Sequence, residues 1–293
     1  MPVESPEGKP ARAPQGDLLH RAMFFLAALV VVRFVLEIAG VPKAWTQYLS
    51  SSAGLFLTAI YVAAVAPLRG GMQKFRQIIL PALVLSAWTA AWVILATLVS
   101  GVFRLERSHF AGPEDYGNWA HLGRHLFGHL VELGVFFVLV VVLMAVTHFL
   151  WRWPLTVGPG AMLGALVIIR YWVEAMGLDA SRASAWSSTV GVLIAAFYLG
   201  GIAPHFGQAG TMRLLVHSLV IGYTWRIWVF LATVLSAVLP FYKTHFFDPT
   251  QGRVAVRLLQ FVGFGVIVEG LVWGIVVWLI ARWIARATQP AAR

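Results

Sequence analysis

The hydrophobic pattern along this chain is one of long unbroken apolar runs separated by short polar stretches. Eight runs stand out, at about 21–40, 50–67, 77–101, 122–150, 157–177, 187–204, 213–239 and 254–282. A hydrocarbon core of about 30 Å needs roughly 20 apolar residues in helical form, and each run meets or nearly meets that length. Spanning β-strands would alternate polar and apolar positions over about 10 residues, and these runs do not alternate. The pattern predicts an all-α integral membrane protein with eight transmembrane helices.

The segment before the first run, residues 1–20, is rich in Pro, Gly and charge and reads as a disordered tail. No small-x-small cleavage pattern follows the first run, which is expected to stay in the membrane rather than act as a signal peptide. Residues 287–293 read as a short C-terminal tail.

Internal repetition organises the rest. At an offset of 137, Arg33 meets Arg170, Glu37 meets Glu174, Gly40 meets Gly177, Gly54 meets Gly191 and Tyr61 meets Tyr198. The same offset pairs Ser50-Ser51 with Ser187-Ser188 and Ala66-Pro67 with Ala203-Pro204. In the third run the offset is 136, pairing Trp92, Thr97 and Ser100 with Trp228, Thr233 and Ser236. In the fourth it returns to 137, pairing Phe127-Gly128 with Phe264-Gly265 and Glu132 with Glu269. Shared Leu, Val and Ala would mean little between apolar runs, but shared Arg, Glu, Trp and Pro cannot come from hydrophobicity alone. The reading is two four-helix repeats, residues 21–153 and 154–286. An even number of spans per repeat makes them parallel, with a pseudo-two-fold axis along the membrane normal.

Composition then narrows the class. Hydrophobic residues make up 59% of the 293 and charged residues only 12%, far from the roughly 25% charged of a soluble domain. The chain has no cysteine, which removes disulfides, thiolate metal sites and cysteine nucleophiles. Its net charge of +10 is scattered over loop ends without a recognition motif, so nucleic acid is not an expected partner. With eight spans, 11 Lys/Arg fall on the side of the termini and 8 on the other, which places both termini in the cytoplasm of a bacterial inner membrane.

Few charges lie inside the runs. Arg33 and Glu37 are four residues apart on one helix face, and Arg170 and Glu174 repeat them. Glu132 and Glu269 lie deeper, and Arg226 stands where the first repeat has Ala90. An ionisable group at such depth costs at least about 2.5–3.5 kcal/mol unless paired or wet. Two readings follow. Either an Arg–Glu network ties the first and fourth helices of each repeat together, or Arg33, Glu37, Glu132, Arg170, Glu174, Glu269 and Arg226 line a site at the repeat interface. That site would bind or translocate a small solute or ion. The alternative is an accessory or structural subunit of a larger membrane complex, energy-transducing complexes included, and the expected partners are the lipid bilayer with other membrane proteins or further copies of this chain.

His121, His125 and His129 share one helix face with Glu132, while the second repeat has Leu258, Val262 and Val266 there. Imidazoles spaced i, i+4 can chelate a divalent metal or ligate haem, which makes a metal- or haem-binding protein a further alternative. His217 and His148 form no obvious two-helix haem pair. The paired Ser-Ser and Ala-Pro ends of the second runs fit helix capping and termination as well as a transport site. No nucleotide-binding loop, nucleophile elbow or zinc-protease helix is present, and the reading is non-enzymatic.

Overall fold

A computed structural model describes residues 15–238, 244–247 and 253–288 of the chain. The apolar runs fold as α1 (Gln15–Ile38), α2 (Ser51–Val65), α3 (Ile79–Val102), α4 (Trp119–Phe149), α5 (Val157–Ala175), α6 (Ser188–Ile202), α7 (Thr211–Val238) and α8 (Val254–Thr288). Among the described residues there is no strand, only an isolated bridge between Thr244 and Phe247. Seven helical stretches, those containing α2 to α8, are long and apolar enough to cross a membrane. Phe24, Leu80, Phe127 and Leu259 point outward. Such an apolar exterior is stable against lipid, and the chain is an all-helical integral membrane protein. Trp45, Trp119 and Trp283 are exposed near helix ends, where an aromatic belt belongs.

Two expected boundaries move. Residues 15–20, read as part of a disordered tail, form the first turns of α1. Leu18 and Ala22 are buried there, and Arg21 pairs with Asp17 at 2.9 Å, so packing and an i, i+4 ion pair extend the helix. Residues 1–14 of that tail lie outside the described residues. At the other end α8 continues to Thr288, and residues 289–293 lie outside the described residues.

Local chemistry sets the other ends. The Ser50 hydroxyl caps α2 by accepting from the Ala53 N–H at 3.3 Å, and the Asn118 side chain caps α4 by accepting from the His121 N–H at 3.1 Å. Ser187 makes no such side-chain bond at α6. Gly40 (φ +90°) and Gly177 (φ +92°) end α1 and α5 in left-handed turns. In each, two N–H groups close back on the last carbonyls, Gly40 to Glu37 with Val41 to Leu36, and Gly177 to Glu174 with Leu178 to Val173. A side chain at that φ is strained, which explains a glycine at both places.

The helices pack in matching neighbourhoods. α1 lies against α2 and α3, with α4 against α2 and α3; α5 lies against α6 and α7, with α8 against α6 and α7. Contact between α2 and α5 joins the halves, and a single buried cluster containing Phe56, Met144, Leu163, Tyr171 and Trp228 runs through both. Inside α8, Phe261–Glu269 widens into a π-helix.

Candidate functional site

Glu37 sits in the last turn of α1 with 1% of its surface exposed, where an unpaired carboxylate would be costly. Its Oε1 accepts from Arg33 Nε at 3.1 Å and from the Thr46 hydroxyl at 3.0 Å. Its Oε2 accepts twice from one residue of the loop after α3, from the His109 backbone N–H at 3.0 Å and from His109 Nδ1 at 2.6 Å. Four donors saturate the carboxylate and pin the loop onto α1. Burial pushes the His109 imidazole below its usual range, with the Glu37 hydrogen bond opposing that shift and the nearby Arg33 and Lys43 charges adding to it.

The second half repeats the arrangement. Glu174 Oε1 accepts from Arg170 Nε at 3.1 Å, and Oε2 accepts from the His245 N–H at 2.9 Å and from His245 Nδ1 at 2.6 Å. Ser100 donates to Ser108 at 2.8 Å beside the first latch, and Ser236 and Thr244 are hydrogen-bonded at 2.7 Å beside the second. One partner is not duplicated, because Ala183 stands where the register would place a second Thr46.

These latches differ from the expected lock between first and fourth helices. Glu37 and Glu174 bind the loops that follow α3 and α7, because those loops return over the ends of α1 and α5. His109 and His245 carry the pairing, and the repeat register as drawn along the helices missed them. The signal was present: Ser108-His109-Phe110 and Thr244-His245-Phe246 continue the 136 offset of the third run past its end.

The histidine face of α4 is tied to a second carboxylate that the helix pattern did not reveal. Asp115, 1% exposed, accepts from His121 Nδ1 at 2.7 Å, from His125 Nδ1 at 2.9 Å and from the Gly112 N–H at 3.0 Å. Burial raises its pKa, but these hydrogen bonds outweigh burial and hold it at about 2. His129 turns away, donating from Nδ1 to Glu132 at 2.9 Å with Nε2 3.2 Å from the Thr97 hydroxyl. Among the described residues no group of three or more His, Asp or Glu side chains is arranged to hold a metal ion. His217 Nδ1 donates to the Arg213 carbonyl at 2.7 Å.

The deep carboxylates are unlike each other. Glu269 forms an ion pair with Arg226, whose Nε donates to the Gly265 carbonyl at 2.9 Å within the π-helical stretch. The guanidinium also lies over Trp225 and Phe261, 5.3 and 5.0 Å from their ring centroids. Glu132 is paired with imidazole instead, and 59% of its side chain is exposed. The seven Arg and Glu residues thus fall into four clusters: Arg33 with Glu37, Arg170 with Glu174, Arg226 with Glu269, and Glu132 with His129. None of them lines either of two cavities between the halves, one walled by apolar side chains such as Phe56, Val167 and Trp228 and a larger one walled by Phe149, Trp153 and Tyr223 among others.

Comparison of the chain with family models, curated proteins and solved structures found no match.

Proposed function

We propose that this protein binds a small solute or ion within the membrane and moves it across, without catalysing a reaction. In this reading it has eight spanning helices arranged as two parallel four-helix repeats, 21–153 and 154–286, about a pseudo-two-fold axis along the membrane normal. Matching helix neighbourhoods and the twin Glu–His latches support the repeats. The bias of Lys and Arg supports termini on the cytoplasmic side of a bacterial inner membrane.

One observation carries the reading. Of four carboxylates inside the helices, Glu37, Glu174 and Glu269 each meet a guanidinium, whereas Glu132 meets an imidazole and borders a cavity. A carboxylate kept at that depth without a fixed cation is expensive, and such residues mark ion or proton pathways. The three neutralised groups then act as structural ties, and Glu132 acts as the carrier.

Reconstitution tests this. Purified protein in lipid vesicles should dissipate an imposed gradient read by an entrapped pH- or Na⁺-sensitive dye. Glu132→Gln should slow the flux at least tenfold while the protein elutes unchanged on gel filtration. Flux equal to that of empty vesicles, or flux indifferent to Glu132→Gln, would overturn the proposal.

A further inference from the structure

The two halves differ where Glu132 and Glu269 sit. In the second half the charge is answered from within: Arg226 reaches Glu269 and the Gly265 carbonyl. The space is also closed. A methyl group built on Gly222 would come within 2.5 Å of the Gly270 carbonyl oxygen and of the Gly274 nitrogen, so α7 and α8 touch there backbone to backbone.

In the register of the repeat, Ala90 replaces Arg226, Ser86 replaces Gly222, Thr89 replaces Trp225 and His129 replaces Val266. Every one of those changes removes bulk or charge, or adds a polar group. Between α2, α3 and α4 lies a cavity of about 50 Å³ whose wall is largely apolar, with Leu55, Val93 and Phe136 among its side chains, and onto which Ser86, Thr89, His129 and Glu132 bring polar groups. Ser86 is 1% exposed and its hydroxyl has no hydrogen-bond partner. A buried hydroxyl without a partner costs roughly 1–3 kcal/mol, and a ligand in the cavity would relieve that cost. The Thr89 hydroxyl donates to the Leu85 carbonyl at 2.9 Å, which leaves its oxygen lone pairs able to coordinate.

The geometry points to a binding site for one small monovalent metal cation, of the Na⁺ class, held by the Glu132 carboxylate and the hydroxyl oxygens of Ser86 and Thr89. It would stand where the second half places its own guanidinium. The inference rests on the repeat register and on Glu132 as the ion-binding carboxylate, and it adds the class of ion. Carboxylate and hydroxyl oxygens are hard ligands, which suit alkali cations rather than transition metals. A single carboxylate balances one positive charge, whereas a divalent ion would leave a surplus charge in a low-dielectric site. The volume has room for a small ion with accompanying water, since about 10–15 Å³ of such space already holds one water.

Equilibrium binding of ²²Na⁺ to the full-length protein in detergent, at constant ionic strength set with N-methylglucamine chloride, tests the site. Wild type should bind one Na⁺ per chain, saturably. Ala90→Arg should bind none, because its guanidinium fills the place. Glu132→Gln and Ser86→Ala, close in shape to the native residues, should weaken binding at least tenfold, so the test survives if Ala90→Arg does not fold. No saturable binding by wild type, binding indifferent to Glu132→Gln, or preference for Ca²⁺ or Mg²⁺ over Na⁺ would overturn the inference. Flux that depends on Glu132 without Na⁺ binding would sink this site and leave the transport reading standing. Stoichiometric Na⁺ binding without flux would do the reverse.

Discussion

His109 donates two hydrogen bonds to one oxygen of Glu37, through Nδ1 at 2.6 Å and through its backbone N–H at 3.0 Å. Because 72 residues separate the two, this contact decides how the loop after α3 lies on α1. His245 and Glu174 make the same double contact 71 residues apart.

The latch makes a stability prediction. Glu37→Ala leaves His109, Arg33 and Thr46 facing a buried gap and should destabilise the protein by about 3–5 kcal/mol. Glu174→Ala should cost about 1–2 kcal/mol less, since no threonine bond is lost there. Unfolding in detergent checks both values, and protease cleavage within 103–118 should quicken only in Glu37→Ala.

Acid should loosen the same face in two stages. His109 is held below its usual range by burial, so the unfolded chain takes up a proton first, and stability falls as pH drops below about 6.5. Asp115, at about 2 when folded and near 3.8 otherwise, contributes stability that is full above about pH 4 and lost as pH falls towards 2. Melting temperature against pH should therefore show both declines. His109→Gln should shrink the first and Asp115→Asn the second.

The unlike packing of α3 and α7 predicts opposite responses to alanine. Gly222→Ala drives a methyl group into the backbone of α8 and should cost about 1–3 kcal/mol. Ser86→Ala removes a buried hydroxyl that has no partner and should stabilise the protein by about 1–3 kcal/mol. Paired thermal melts in sodium-free buffer measure the contrast.

The two glycines that end α1 and α5 form the last test. Gly40→Ala and Gly177→Ala should each destabilise by about 1 kcal/mol, through strain at φ near +90°. Gly40→Ala should cost more, because an added methyl meets the Arg107 guanidinium at 2.9 Å whereas Gly177 has open space.

Much of the architecture was legible in the chain itself. Continuous apolar runs have one stable form in lipid, since only a helix satisfies its own backbone there, and seven helical stretches able to cross a membrane stand where runs were read. The spacing of Arg33 with Glu37 and of Arg170 with Glu174 likewise placed each pair on one face, because i and i+4 are neighbours on any α-helix. α1 starts earlier than its polar local composition suggests, because burial of Leu18 outweighs that composition.

Which partner each carboxylate meets could not be read that way. Asp115 collects His121 and His125 only because a loop turns back over the start of α4, and Glu37 collects His109 only because another returns to the end of α1. Helical periodicity describes neighbours within a turn or two; loop return brings together groups dozens of residues apart. Sequence alone determined where the apolar helices lie along the chain and the scarcity of charge within them. Tertiary packing decided that Glu269 is neutralised by Arg226 of another helix, while Glu132 borders a cavity that no guanidinium fills. The physical reason is that neutralisation depends on distances of about 3 Å between side chains from different elements, and only the assembled bundle sets those distances.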